Sequence, residues 1–330
     1  MSKSVLITGG AGFIGSNLAD RLLDMGVAVT ILDNLSTGRR EFLAGLVGAE
    51  GMQLIEGDVL DIHTLEDAVD GCDWVFHLQA NADLRRGLEH PRRDLEQNTI
   101  ATSNVLEAMR ATGARRIVFA STGSVYGEPD VFPTPEDAPF PVQTSLYAAS
   151  KLACEGLIGA YSSGFGFTGV ICRFVSVLGE RYTHGHVFDF YRALKRDPAR
   201  LRVLGNGRQE KSYMYVQDCI GAMLTAAAHH GGELEGGAHV YNLGTDETLF
   251  VDESVAIIAE HLSLTPEIEY TGGRRGWAGD SPLIRLDTSC IRALGWRPQL
   301  TIRQALARTL EWFDANHYSW RDEAMESALP

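Results

Sequence analysis

Val5-Leu6-Ile7-Thr8-Gly9-Gly10-Ala11-Gly12-Phe13-Ile14-Gly15 decides the fold of this 330-residue chain. An apolar run enters a cluster of glycines, and from Phe13 to Met25 apolar positions recur at helical spacing. A strand, a glycine loop and a helix are therefore predicted in immediate succession. Glycines at that point let the backbone turn tightly and approach a pyrophosphate seated on the helix N-terminus. The strand and helix context carries the reading, because the glycine pattern alone also fits an ordinary tight turn.

Outward from this loop, short β-branched runs alternate with helical patterns. Strands are predicted at Val5 to Thr8, Val27 to Leu32, Gln53 to Glu56, Trp74 to Leu78, Ile117 to Ala120 and Gly169 to Val175, with crossover helices such as Phe13 to Met25 and Thr99 to Ala111. Continuous apolar strands are buried on both faces, so the class is α/β, a Rossmann-type doubly wound parallel sheet. Residues 1–178 read as the dinucleotide-binding domain. After Leu178 the alternation weakens, and residues 179–330 read mainly as a smaller C-terminal substrate-binding lobe, with some segments returning to the first domain. Helices are expected there at Val187 to Lys195, Cys219 to Ala228, Asp252 to His261 and Thr301 to Asn316, and strands at Arg202 to Leu204 and Ser212 to Val216.

Asp33 ends the second strand, where a carboxylate accepts hydrogen bonds from an adenosine ribose diol and repels a 2′-phosphate, so NAD is expected over NADP. Arg39 and Arg40 nearby read as solvated charges. Asp58, after the third strand, either caps the following turn or accepts from the adenine amino group. The formal charge of -14 and pI near 5.1 speak against a nucleic-acid surface or an anionic membrane face. Cys72, Cys154, Cys172, Cys219 and Cys290 are odd in number and widely spaced, as expected of reduced thiols in the cytoplasm. The chain shows no signal-peptide layout and no apolar run of membrane-spanning length.

Tyr147-Ala-Ala-Ser-Lys151 adds chemistry to binding. A tyrosine and a lysine one helical turn apart share a face, so phenol and ammonium enter one cleft. The ammonium and a positive nicotinamide ring are expected to favour phenolate, making Tyr147 a base for a substrate hydroxyl. An isolated pair of this kind would more simply be a half-buried Tyr and an exposed Lys; behind a glycine loop and Asp33 the chemical reading is the stronger.

Together with Leu32-Asp33-Asn34, Gly57-Asp58-Val59, His77-Leu78-Gln79-Ala80, Asn98, Ser124-Val125-Tyr126-Gly127, Arg173-Phe174 and Leu294-Gly295-Trp296, these motifs resemble the extended short-chain dehydrogenase/reductase family, specifically its nucleotide-sugar epimerases and dehydratases. The resemblance spans nearly the whole chain. It implies that Gly9, Gly12 and Gly15 carry the cofactor loop, leaving Gly10 incidental to a literal Gly-x-Gly-x-x-Gly match. It adds Phe13, Ile14, Asn34, Ser36, Val59, Leu78, Gln79, Ala80 and Asn98 to Asp33, Asp58, Tyr147 and Lys151 as NAD-binding residues. It makes Thr122 a third catalytic group with Tyr147 and Lys151, although a Thr in Ala120-Ser121-Thr122-Gly123 also reads as a strand-end cap. Substrate contacts are implied at Ser124, Ser176, His186, Val187, Lys211 and Arg275, the last within an altered Arg-x-Gly-Asp anchor that continues through Trp277, Gly279 and Asp280.

The departures narrow the reaction. Dehydratases of the family place an Asp-Glu pair after the catalytic Thr, and decarboxylases keep the Glu; Gly123-Ser124 stands here. Neither residue is a carboxyl acid, which favours 4-epimerisation through a transient keto sugar. Gln79 replaces a small residue near the nicotinamide, Ser176 replaces an Asn, and Lys211 replaces an Arg and its forked contact. Arg181 lacks the second Arg of relatives that act on glucuronates. His184 and His186 have no third ligand at metal-site spacing, so no metal is expected. Trp296, Trp312 and Trp320 read as packing aromatics, and His229-His230 as a helix end. The partners implied are a nucleotide-diphosphate sugar and a second copy of the chain, packed through the helices at Thr99 to Ala111 and Leu146 to Tyr161. A 4-reductase, a 3- or 5-epimerase, a dehydratase and a non-catalytic NAD-binding regulator remain as alternatives.

Overall fold

Seven parallel strands form the central sheet of the computed structural model, which describes residues 3–81, 90–143, 145–232, 236–276 and 283–316. In chain order the first six are β1 (Ser4–Thr8), β2 (Ala28–Asp33), β3 (Met52–Glu56), β4 (Trp74–His77), β5 (Arg116–Thr122) and β6 (Thr168–Phe174). Their spatial order is β3-β2-β1-β4-β5-β6, with Gly237–Leu243 added beside β6. The order reverses between β1 and β4. That reversal opens a crevice at their carboxyl ends, where ligands of doubly wound sheets bind.

Alternate residues of each strand are buried on opposite faces. Val5 and Ile7 of β1 join a core with Val118, Val170 and Cys172, while Leu6 joins another with Ile117, Phe119 and Ile171. The first core is covered by α1 (Phe13–Asp24), and the second by α2 (Ile62–Val69) and the later helices α4 (Ala101–Thr112) and α5 (Leu146–Phe165). Between them, α3 (Pro91–Asp94) runs into a π-helical turn at Leu95–Ile100 and then into α4.

The expected strands and helices are present, their ends displaced by a few residues. Sequence patterning misses Gly237–Leu243, whose first four positions are only partly covered. Beyond β6 the chain forms α6 (His186–Arg196) and α7 (Val216–His229), together with small two-stranded sheets such as Arg200–Val203 with Glu267–Tyr270. A strap at residues 283–287 crosses the segment after β5, with the Thr134 amide donating to Arg285 O at 2.8 Å and the Asp287 amide donating to Thr134 O at 2.9 Å. Among the described residues no helix is long and apolar enough to cross a membrane, and all five cysteines are free. Trp296 is buried and donates to Asp218 O at 3.0 Å, while Trp312 packs edge-on against Phe42 and Phe313, as packing aromatics should. Trp320 and the Trp277, Gly279 and Asp280 part of the expected anchor lie outside the described residues.

Candidate active site

The glycine loop leaves β1 at the crevice. Gly9 has φ of +72°, and a Cβ there would stand 2.8 Å from the Gln79 backbone, so a side chain is excluded twice over. Gly15 approaches Gly9 O so closely that an added Cβ would stand 2.3 Å from it. Gly12 caps α1, with Ser16 N donating to its carbonyl at 3.0 Å, and the amides of Phe13, Ile14 and Gly15 form the start of that helix. Gly10 has a steric role of its own. A Cβ there would come within 2.6 Å of Ile31 Cγ2, so the residue lets the loop close over β2. Phe13 itself packs edge-on against Tyr182, leaving its backbone rather than its ring for a ligand.

Asp33 is buried at the end of β2. Its Oδ2 accepts from Ala11 N at 2.9 Å and its Oδ1 from Leu35 N at 2.8 Å, which fixes the carboxylate beside the glycine loop. Burial raises its proton affinity, and the two backbone hydrogen bonds counter that. This cradle of glycine loop, helix start and immobilised carboxylate fits an adenosine diphosphate moiety bearing a free ribose diol. Asn34 Nδ2 donates to Asp58 Oδ2 at 2.8 Å, and Ser36 N donates to Asn34 Oδ1 at 3.0 Å. Asp58 caps its turn through Leu60 N at 2.9 Å, the first of the two readings open from sequence. Val59 is buried in the core. Arg40 is paired with Glu56, a tie that patterning does not show.

Leu78, Gln79 and Ala80 follow β4 beside Gly9, with Leu78 N donating to Thr8 O at 3.1 Å. Gln79 Nε2 donates to Gln97 Oε1 at 2.7 Å, and Gln79 Oε1 is buried without a partner among the described residues. Beneath them His77 is fully buried between Thr8 Oγ1 at 2.7 Å and Thr102 Oγ1 at 3.0 Å. Thr102 donates onward to Asn98 O at 2.7 Å, so His77 donates from Nε2 and accepts at Nδ1. Burial, helped by the Lys151 charge, lowers His77 to about 3 and keeps it neutral.

Ser145 caps α5 by accepting from Ala148 N, and the first turns of that helix carry Tyr147 and Lys151. Lys151 Nζ donates to Ala120 O at 2.9 Å and lies 4.7 Å from the Phe119 ring centroid, so the ammonium is sealed against the end of β5. It stands 6.0 Å from the Tyr147 ring centroid. Burial lowers Lys151 to about 8, with Cys154, Glu155 and Asp94 opposing the shift. Burial raises the Tyr147 phenol well above the ordinary value, and Asp94 and Cys154 raise it further, so the ammonium alone does not make phenolate the resting form. Thr122 closes β5 and caps the following turn: its Oγ1 accepts from Ser124 N at 3.1 Å and lies 3.2 Å from Ser124 Oγ.

Not every expected contact is available to a ligand. The Asn98 amide is buried and committed, accepting from Asn81 N at 2.9 Å and donating to Ser150 Oγ at 2.8 Å. Val187 is buried, at 0% exposure, in the core around α6. His186 contacts the Tyr213 hydroxyl at 3.0 Å beside Phe190. Ser176 is exposed at the start of a short strand paired with Tyr213–Tyr215, and Lys211 lies on another paired with Leu249–Phe250. Arg275 is ion-paired with Glu128, and Arg181 with Asp20 of α1 at 2.7 Å, which turns Arg181 toward the cofactor helix. Asn81, Asp94, Gln97 and Ser150 surround the site without any short motif to announce them.

A model of the NAD dependent epimerase/dehydratase family matches residues 5–244. The UDP-glucose 4-epimerase of Mycolicibacterium smegmatis is 33% identical over 315 residues, covering 93% of this chain and 97% of the relative. A crystal structure of UDP-galactose 4-epimerase superposes with a TM-score of 0.83 at 36% identity, covering 95% of this chain and 99% of that one. The Thermus thermophilus UDP-glucose 4-epimerase, solved with NAD, gives 0.82 at 33% identity, covering 94% and 99%. A UDP-glucuronic acid decarboxylase and a dTDP-glucose 4,6-dehydratase also match, at 30% and 27% identity.

Proposed function

This chain belongs to the NAD-dependent epimerase/dehydratase family, and from that premise we propose that it is a nucleotide-sugar 4-epimerase acting through a transient 4-keto sugar. Its cofactor is NAD. The observation that carries the finer reading is the pairing of Tyr147 and Lys151 at a position where the adjoining turn offers Gly123 and Ser124 instead of a carboxyl acid. Such a site moves one hydroxyl proton and lacks the second acid that elimination of water needs.

Bound NAD supplies a two-electron hydride acceptor and donor beside the sugar. The glycine loop, the start of α1 and Asp33 would hold its adenosine diphosphate half. Tyr147 takes the proton from the 4-hydroxyl and later returns it, Thr122 fixes that hydroxyl, and Lys151 holds positive charge beneath the pair. Desolvation raises the Tyr147 phenol, so a loaded site that adds positive charge favours the proton transfer. Ser124, Ser176, Lys211 and the residues near His186 would face the sugar nucleotide, with Arg275 leaving Glu128 to meet its diphosphate. UDP-hexoses are the first substrates to test, since the relatives named above act on them.

We also propose a cytoplasmic homodimer joined through α4 and α5. Ala153, Gly156, Ala160 and Gly164 make an exposed face of α5 that permits close helix packing, and Leu146 is exposed at its start. The deciding experiment is turnover of UDP-glucose and UDP-galactose in deuterated water, read by NMR. Interconversion without deuterium on the ring is expected. Exchange at the carbons flanking C4, or net use of reduced cofactor, would replace 4-epimerisation with another keto-sugar reaction, and no turnover of any nucleotide sugar by NAD-loaded protein would remove catalysis.

A further inference from the structure

We propose that Asp94 is a positioning residue for the proton-transfer step, acting on Tyr147 through a chain of hydrogen bonds that runs by way of Asn81, Asn98 and Ser150. The inference rests on Tyr147 being the proton carrier. Asp94 ends α3 and is 2% exposed. Its Oδ1 accepts from Asn81 Nδ2 at 2.9 Å; Asn81 N donates to Asn98 Oδ1 at 2.9 Å; Asn98 Nδ2 donates to Ser150 Oγ at 2.8 Å; and Ser150 Oγ donates to Tyr147 O at 2.8 Å. Two separate segments, the loop at Asn81 and the helical run from Asp94 to Asn98, are thereby fastened to the first turn of α5.

The π-helical turn at Leu95–Ile100 makes this possible. Such turns are rare and concentrate at functional sites. Here the turn aims the Asn98 side chain at Asn81 and Ser150, while its carbonyl accepts from Thr102 Oγ1 at 2.7 Å and from Cys154 Sγ at 3.3 Å. A regular helix through the same residues would rotate Asn98 out of this position.

The charge of Asp94 has a second effect. Tyr147 is faced by Asp94 from α3 and by Lys151 and Cys154 from its own helix; Lys151 is faced in addition by Glu155 and by neutral His77. A buried lysine with a single carbonyl acceptor sheds its proton readily. The carboxylate opposes that loss and holds protons on both members of the pair.

Two variants separate geometry from charge. Asp94→Asn keeps an acceptor for Asn81 and removes the charge, so both limbs of the kcat/KM profile should move to lower pH, by about 0.3 to 1 unit. The phenolate absorbance of NAD-loaded protein, read against Tyr147→Phe, should move the same way. Ser150→Ala keeps the charge and cuts the chain, so kcat should fall about tenfold with substrate KM and bound NAD retained. An Asp94→Asn profile and absorbance titration that overlay the wild type, with or without a lower Tm, would overturn the proposal, as would an unchanged kcat in Ser150→Ala. Absence of wild-type turnover would defeat the functional reading instead, and the absorbance titration would still decide this one.

Discussion

Asp33 and Glu56 stand opposite each other in register on β2 and β3, yet they hold different partners. Asp33 is buried and takes the amides of Ala11 and Leu35, whereas Glu56 takes the Arg40 guanidinium at the surface. The pairing divides the labour of cofactor choice. Among the described residues Asp33 pairs with no cation and would repel a 2′-phosphate, while the guanidinium that would welcome one is neutralised a strand away.

Asp33→Ser should therefore weaken NAD without creating an NADP site. Loss of the ribose acceptors predicts a Kd for NAD raised about 10- to 100-fold, since each charge-assisted bond contributes roughly 1.5 to 3 kcal/mol. Adding Glu56→Gln releases Arg40 and should improve NADP binding at least about fivefold over the single variant. Fluorescence titration with both cofactors checks this; equal NADP affinity in the single and double variants would show that Arg40 does not reach the 2′ position.

The glycines of the loop should differ in how they can be rescued. Gly10→Ala places a methyl against the Ile31 side chain, 2.6 Å from its Cγ2, and Ile31→Ala removes the obstruction. Gly15→Ala places it against the Gly9 carbonyl, which no side-chain change relieves. Both single variants should lose bound NAD and about 1 to 3 kcal/mol of stability. In a double-mutant cycle, Gly10→Ala with Ile31→Ala should recover at least about 1 kcal/mol of coupling energy, and Gly15→Ala with Ile31→Ala none.

That contrast also shows what patterning reveals and what it conceals. The sheet is legible because its strands are apolar on both faces and its helices carry a clear period, so the elements and the C-terminal positions of Gly9, Asp33, Asp58 and Thr122 follow from local sequence. Gly237–Leu243 escapes because an edge strand is only half covered, and its His239 and Tyr241 interrupt the apolar run. The steric reason for Gly10 lies in Ile31 on the next strand, and the ties from Asn98 reach 17 residues back to Asn81 and 52 forward to Ser150. Long-range contacts leave no period. Spacing likewise reveals the ammonium near Tyr147 but not the desolvation that opposes ionisation of its phenol.

His77 should make the protein sensitive to mild acid. Its folded pKa of about 3 lies below the ordinary 6.5, so between those values the unfolded chain binds a proton that the native protein refuses. Stability contributed by the neutral ring is fully present above about pH 6.5 and is lost as pH falls toward 3. From pH 6.5 to 4.5 the loss from this residue is on the order of 2 to 3 kcal/mol. Urea unfolding at the two pH values measures it. His77→Gln lowers stability at neutral pH by removing the ties to Thr8 and Thr102, but it should flatten the slope; an unchanged slope would place the acid sensitivity elsewhere.

Arg173 and Glu155 form a buried ion pair at 2.7 Å, with side chains 4% and 6% exposed. The pair is part of a larger set. Ser121 donates to Glu155, and Arg173 Nη1 donates to the Tyr126 hydroxyl at 2.6 Å and to Glu136 O at 2.9 Å, so β5, β6, α5 and the segment after Thr122 converge on it. Taking two charges from water is expensive, and their attraction offsets that cost only while both are present. Arg173→Met should cost about 3 to 5 kcal/mol, because it strands the Glu155 carboxylate and frees the turn that carries Thr122 and Ser124. Arg173→Met with Glu155→Met should regain much of that stability, since no buried charge remains. Turnover should not return with it: the loss of Arg173 also releases Tyr126 and the Glu136 carbonyl, so Thr122 and Tyr147 are no longer held in register. Thermal unfolding paired with kcat separates these effects, and a double variant that regains both would show that the network serves stability alone.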